Sequence, residues 1–349
     1  MRRPSVIIDS DIPYINGVME PWADVRYVKG EEIRSYVMTP GNSADALIIR
    51  TRTKCDSEML RSSDIKFIAS ATIGSDHVDT AHCREHGIEF INAPGSNSGA
   101  VMQYVFTALY AFAKFNKVSL NSKTLGVVGV GNVGSKVADL GRYLGFKVLE
   151  NDPPREMREG GGDFVSLDEL LQESDIVTMH IPLDEGNFQF ASEAFFKKIK
   201  KGAIFINTSR GEVVDEAALL CNRKNLGGLI LDVWSNEPDI NLQLLGVTDM
   251  ATPHIAGYSR QGKINATMAV VRAFGKYYGI KELMQFDLYK GNECAPIAID
   301  LNGDSQEAVC DLLNSIFPIT ELDMALRSDP HSFEQLRNTY NYRNEFKYI

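Results

Sequence analysis

Leu125-Gly126-Val127-Val128-Gly129-Val130-Gly131-Asn132-Val133-Gly134 is the stretch on which the reading of this chain turns. An apolar run of strand composition leads into Gly-x-Gly-x-x-Gly, and a pattern of helical spacing follows. In that setting each glycine has its own task. Gly129 permits a tight turn, Gly131 lets the backbone approach a pyrophosphate, and Gly134 lets the helix pack close to the strand, with Asn132 and Val133 in the same phosphate-facing turn. The hexapeptide alone is a weak signal; between a strand and a helix it predicts a dinucleotide site. Such a site needs an acid about 20 residues on, at the end of the next strand, to accept hydrogen bonds from the adenosine ribose. Asp152 stands there, and its charge disfavours a 2′-phosphate, so NAD is the expected cofactor. The plainer reading makes Asp152 a turn former ahead of Pro153-Pro154.

Outward from this stretch, short Val- and Ile-rich runs alternate with helical patterns, the mark of βαβ units and parallel sheets. Strands are predicted over 6–9, 46–50, 66–69 and 89–92, then a long buried helix over 99–117. A second set follows over 125–128, 147–150, 176–179, 203–207 and 229–232, at the spacing of a doubly wound fold. Another long helix is predicted over 259–278. Beyond it the alternation stops, with a strand-like stretch over 294–301 and a helix over 307–317. This tail is too short for much of a core of its own, so packing on another subunit is expected.

The 349 residues, 44% of them apolar, suit two or three soluble globular domains. Acidic residues outnumber basic ones 46 to 36, and a net charge of −10 repels a phosphate backbone, so nucleic acid is not an expected partner. The longest apolar stretch, 105–113, falls far short of the roughly 20 residues that span a bilayer, and no signal-peptide core follows Met1-Arg2-Arg3. A cytoplasmic protein with no membrane partner is expected. Cys55, Cys83, Cys221, Cys294 and Cys310 are scattered without a CxxC, which points to reduced thiols.

Oxidation of a hydroxyl by a nicotinamide needs a base for the proton and a cation to hold a carboxylate and polarise the developing carbonyl. Arg210, just past the apolar strand at 203–207, offers a planar fork suited to a carboxylate; a surface ion pair is its structural alternative. His254, in Thr252-Pro253-His254, is the candidate base, since imidazole titrates near neutrality. Glu237, in Asn236-Glu237-Pro238, could fix its tautomer. Ile181 and Thr208, where later strands end, are candidates to border the nicotinamide. His77, His82 and His86, with Cys83, form no recognisable metal motif and read as a polar helix face, so no metal is expected. Arg50-Thr51-Arg52-Thr53-Lys54 gathers three cations and two hydroxyls after an apolar strand, suited to an anionic substrate, or else a strand running out into solvent.

Taken together, Gly129–Gly134, Asp152, Arg210-Gly211, Asp232-Val233-Trp234 leading to Glu237-Pro238, and Thr252-Pro253-His254 resemble the D-2-hydroxyacid dehydrogenase family. The resemblance implies Arg210, Glu237 and His254 as the catalytic set. It also implies a Rossmann-type doubly wound NAD domain (99–258) inserted in a flavodoxin-like substrate domain (1–98 and 259–284), with a small α+β C-terminal dimerisation domain (285–349). Within the family, His254-Ile255-Ala256-Gly257-Tyr258, Gly262-Lys263, Asp152-Pro153-Pro154-Arg155, Gly74–Asp79 and the added C-terminal segment resemble a branch acting on a phosphorylated acid. That implies NAD-linked oxidation of 4-phospho-D-erythronate to 2-oxo-3-hydroxy-4-phosphobutanoate by a homodimer. Arg50, Thr51, Thr72 and Tyr258 would then contact substrate, and Asp232 and Gly257 would border NAD. Two positions depart from the branch: Ile181 replaces an expected small hydroxyl residue, and the C-terminal segment is shorter than usual. The competing readings are a dehydrogenase for another 2-hydroxy acid, such as 3-phosphoglycerate, and a non-catalytic NAD-sensing scaffold that recruits proteins.

Overall fold

The computed structural model describes residues 2–290, 295–301 and 303–349, so the predicted strand residue and thiol Cys294 lies outside the described residues. The chain divides into two compact units: 1–97 with 260–295, and 98–259 with 296–349.

The first unit carries a parallel sheet in the order β2-β1-β3-β4-β5. Its strands are β1 (Ser5–Asp9), β2 (Asp24–Val28), β3 (Ala46–Ile49), β4 (Phe67–Ser70) and β5 (Glu89–Ile91). Alternate residues serve opposite faces, as the pleat requires. Val6, Ile8, Ala46 and Ile48 enter one core with the Arg260–Tyr278 helix, while Ile7, Leu47 and Ile49 enter the other. Burial on both faces is why these strands read as unbroken apolar runs. The strand β2 escaped the sequence reading because Asp-Val-Arg-Tyr-Val lies at the sheet edge with no residue fully buried.

The second unit holds a six-stranded parallel sheet in the order β11-β10-β9-β8-β6-β7. The strands are β6 (Thr124–Val128), β7 (Lys147–Asn151), β8 (Ile176–Met179), β9 (Ile204–Asn207), β10 (Gly228–Leu231) and β11 (Met250–Ala251). Ile176, Ile204, Ile206 and Ile230 face one core; Val177, Phe205, Leu229 and Leu231 face the other. The Ser98–Asn116 helix is buried on every side from Ser98 to Ala113, which explains its lack of a polar face.

The C-terminal segment, expected as a small dimerisation domain, places its apolar side chains in the cores of the second unit. Ile299, Leu301, Val309, Leu313, Phe317 and Phe346 share the core of the Ser98–Asn116 helix, and Leu326 and Phe333 join the core on the other face of the six-stranded sheet. So short a segment gains a core by sharing one. Its two strands, β12 (Ile297–Ile299) and β13 (Phe346–Tyr348), pair in parallel, and β13 was not foreseen. Asp323, on the Ile319–Ser328 helix, accepts the N–H of Ala251 at 2.7 Å, occupying a backbone donor on edge strand β11. No helix among the described residues is long and apolar enough to cross a membrane.

Candidate active site

Every residue expected to act on cofactor or hydroxyl in the second unit lies just beyond the C-terminal end of one of its strands. Asp152 follows β7, Gly129 follows β6, Ile181 follows β8, and Thr208 and Arg210 follow β9. Asp232 and Glu237 follow β10, and His254 follows β11. This is the edge at which open parallel sheets bind ligands.

The glycine turn has the shape a dinucleotide needs. Gly129 has φ +85°, and a Cβ there would lie 2.9 Å from the His180 carbonyl and 2.7 Å from Ile181 Cγ2. A Cβ on Gly134 would lie 2.0 Å from the Gly129 oxygen, so a side chain there would force the Asn132–Tyr143 helix off the strand. Gly131 differs: nothing lies within 4 Å of its Cβ position. It caps a twelve-residue helix without any side-chain cap, leaving N–H donors of the first turn for an anion. These residues fit a bound NAD pyrophosphate. Gly131→Ala should therefore change stability by less than about 1 kcal/mol, since φ is −80° and the space is open. It should weaken NAD binding about tenfold or more, as calorimetric titration beside thermal unfolding would show; equal NAD affinity would remove Gly131 from the site.

Asp152 braces this turn. Its Oδ2 accepts the Val130 N–H at 2.8 Å and its Oδ1 accepts the Arg155 N–H at 2.9 Å, so the acid caps a helix as well as holding the glycine turn. Arg155 donates to the Val130 carbonyl and pairs with Glu159, engaging it within the protein. His180, at the end of β8, was not singled out from sequence. Its ring nitrogens meet Thr178 Oγ1 at 3.0 Å and Thr208 Oγ1 at 3.4 Å, and burial pushes the imidazole down to about 3, so it is neutral. Ile181 is half-buried against the apolar core beneath.

The candidate chemical groups come together on the other half of the sheet. His254 Nδ1 lies 2.7 Å from Glu237 Oε2, and Glu237 Oε1 accepts the Trp234 N–H at 3.0 Å. An ionised Glu237 makes Nδ1 the protonated nitrogen and leaves Nε2 to accept a proton. Burial pushes the Glu237 carboxyl up, but the His254 hydrogen bond and charge, the Trp234 N–H and the Arg337 charge outweigh it and hold Glu237 below its ordinary value. Arg210 is half-buried and donates to the Ser209 carbonyl, with no ion pair among the described residues, so the surface salt-bridge alternative is not realised. Gly211 explains the Arg-Gly sequence: its Cβ position is 1.9 Å from the Trp234 carbonyl carbon, so the Arg210 loop lies directly on the loop carrying Glu237.

The turn that presents His254 is held from two sides. His254 has φ +55°, a left-handed conformation costly for most side chains. On one side Asp232 receives the His254 N–H on its carbonyl at 2.7 Å, and its carboxylate accepts Thr252 Oγ1–H and the N–H groups of Ile255 and Ala256. Burial raises the Asp232 carboxyl despite these partners. On the other side Arg343 donates to the carbonyls of Ile255, Ala256, Tyr258 and Ala100, and its guanidinium lies 4.0 Å from the Phe317 ring centre. Gly257 and Tyr258 complete this turn, with the Tyr258 hydroxyl 3.5 Å from Arg337. No local sequence pattern signalled Arg337 or Arg343.

In the first unit, Thr51 lies exposed beyond β3, and Thr72 beyond β4 bonds Ser70 at 2.7 Å. Arg50, an expected substrate contact, is paired with carboxylates of its own unit. It forms a two-point bond with the fully buried Asp9 and a further bond with Asp11, so the carboxylates neutralise it. Thr53 is also turned inward, donating to the Gly30 carbonyl. The anion-binding potential of residues 50–54 is thus smaller than their composition suggests. His82 and His86 stack 3.8 Å apart with His82 buried, so they are not a simple solvated polar face.

Comparison with known proteins places this geometry. Residues 103–256 match the family described as D-isomer specific 2-hydroxyacid dehydrogenase, NAD binding domain. The chain is 45% identical over 347 residues to an erythronate-4-phosphate dehydrogenase of Bacteroides fragilis, covering 97% of both chains. The chain belongs to the D-isomer specific 2-hydroxyacid dehydrogenases, in the erythronate-4-phosphate dehydrogenase branch. A Bacteroides thetaiotaomicron member of that branch is 41% identical, covering 98% of this chain and 97% of its own. Among solved structures, the D-lactate dehydrogenase of Aquifex aeolicus, complexed with NAD and lactic acid, matches with a TM-score of 0.64 and 26% identity. That match covers 82% of this chain and all of the other. The family's NAD-binding domain is thus the unit that carries the glycine turn, Asp152 and the His254–Glu237 pair.

Proposed function

We propose that the chain catalyses NAD-dependent oxidation of 4-phospho-D-erythronate to 2-oxo-3-hydroxy-4-phosphobutanoate, a step in pyridoxal phosphate synthesis. The observation that carries this reading is the 2.7 Å His254–Glu237 pair, with the Arg210 loop packed on the loop that carries Glu237, in a chain 45% identical to a relative of that name. Arg210 holds the substrate carboxylate and polarises the C2 oxygen. His254 Nε2 takes the C2 hydroxyl proton as the carbonyl forms. Glu237 receives the Nδ1–H and stabilises the imidazolium. NAD, when bound, accepts the hydride from C2. Gly129, Gly131, Asn132, Val133 and Gly134 are assigned to the pyrophosphate, and Asp152 to the ribose. Ile181 and Thr208 are assigned to the nicotinamide side and Asp232 and Gly257 to the border of NAD, with Arg50, Thr51, Thr72 and Tyr258 as substrate contacts.

The working form in this reading is a cytoplasmic homodimer joined through the C-terminal segment, where Met324 and Ile349 leave exposed apolar surface. Light scattering of the purified chain measures the oligomer. For the reaction, NADH formation is followed with 4-phospho-D-erythronate, 3-phosphoglycerate and unphosphorylated D-2-hydroxy acids. The first should have the highest kcat/KM. A preference for 3-phosphoglycerate would reassign the substrate, and NAD binding without oxidation of any acid would reject catalysis.

A further inference from the structure

The His254–Glu237 pair has a third neighbour, supplied from the C-terminal segment. Arg337, on the Phe333–Thr339 helix, places Nη1 3.7 Å from Glu237 Oε2, the same oxygen that meets His254. Its Nη1 also lies 3.3 Å from Glu334, its Nη2 lies 3.5 Å from the Tyr258 hydroxyl, and its Nε is buried without a hydrogen-bond partner. Side-chain exposure of Glu237 is only 16%, so its charge is poorly screened by water.

We propose that Arg337 is a positioning residue for the oxidation, holding the Glu237 carboxylate in place against His254 and opposing its charge as the pair takes the substrate proton. The inference rests on the assignment of His254 as base. The charged and titratable groups around the pair come from three directions. Asp232 lies beyond β10, Tyr258 is on the same turn as His254 with Arg343 behind it, and Arg337 with Glu334 come from the C-terminal helix. Glu237 and the buried Asp232 both favour retention of a proton by the pair. Arg337 opposes them through the atom that joins Glu237 to His254. Because the pair titrates together, removing this cation should strengthen its hold on a proton. For a cation 3.7 Å from the carboxylate oxygen that meets the ring, the expected displacement is about 0.5 to 2 pH units, depending on screening.

The test uses full-length Arg337→Met and Arg337→Lys, with kcat/KM for 4-phospho-D-erythronate measured across pH. Arg337→Met should move the acid limb upward by at least about 0.5 unit, losing activity near neutrality and regaining it in alkali, while Arg337→Lys stays near the parent. A loss equal at every pH, or an unmoved limb, would overturn the proposal. Should Arg337→Met fail to fold, Glu334→Gln provides the opposite displacement, because it frees the guanidinium toward Glu237 and should lower the limb; an unchanged limb again overturns it. His254→Gln separates the two readings. An acid limb that persists in its residual activity removes the assigned base and this inference with it. A limb lost there but unmoved in Arg337→Met removes only the role of Arg337.

Discussion

Replacement of His254 by alanine should lower kcat by about 10²- to 10⁴-fold, the usual contribution of a positioned acid–base group. NAD affinity should stay nearly unchanged, because the imidazole braces no part of the glycine turn. The fold should also survive. The turn is held through the backbone by Asp232 and Arg343, and the imidazole contributes its hydrogen bond to Glu237. One cost must be separated from chemistry: at φ +55°, alanine should lose about 1 kcal/mol of stability. Asparagine tolerates that conformation better, so His254→Asn provides the control. Both variants should lose turnover with 4-phospho-D-erythronate, but only alanine should shift the urea midpoint noticeably. Parent-like turnover in either would reject His254 as the base.

Gly211→Ala should be as damaging to activity, by another route. The new methyl would sit 1.9 Å from the Trp234 carbonyl carbon and 2.3 Å from the Ser235 nitrogen, both backbone atoms that no rotamer change can move. Relief requires the Arg210 loop to separate from the loop that carries Glu237. Overpacking against backbone should cost about 3 kcal/mol. A displacement of about 1 Å in either loop should lower kcat/KM by about 100-fold. Urea unfolding and steady-state kinetics measure the two effects. A variant with the parent's midpoint and rate would show that the loops do not depend on this close approach.

Much of this architecture was legible because it is locally written. The Val- and Ile-rich runs located the strands of the two larger sheets except β2 and β11, missed β13 of the two-stranded ladder, and put the glycine turn between the predicted strand and helix. Arg210 could be nominated because it follows a recognisable strand ending, and Glu237 and His254 because they stand in Asn236-Glu237-Pro238 and Thr252-Pro253-His254. What local pattern could not supply was pairing over distance. Arg50 read as an available cation because its partner Asp9 lies 41 residues earlier, at the end of the apolar run Val6-Ile7-Ile8. β2 and β13 mix charged and aromatic residues and depend on neighbouring strands for their pairing. Arg337 and Arg343 lie in a polar tail whose periodicity says nothing about the turn they reach. The tail's few apolar residues looked insufficient for a domain, and the structure shows where they are used: in the core of the NAD-binding unit.

That arrangement has a consequence for how the protein comes into being. Arg343 closes a loop with Ile255 and Ala256, almost ninety residues earlier, and β13 completes its two-stranded ladder only with residues 346–348. During synthesis the glycine turn, Arg210, Glu237 and His254 all emerge before the guanidinium that fastens their neighbourhood. A ribosome-bound chain halted at about residue 330 would hold every reacting group but present the base on a turn fastened by Asp232 alone, without Arg343. In the proposed reading, full activity should therefore come only after translation has passed Arg343, and products stopped short of it should hold the base less firmly.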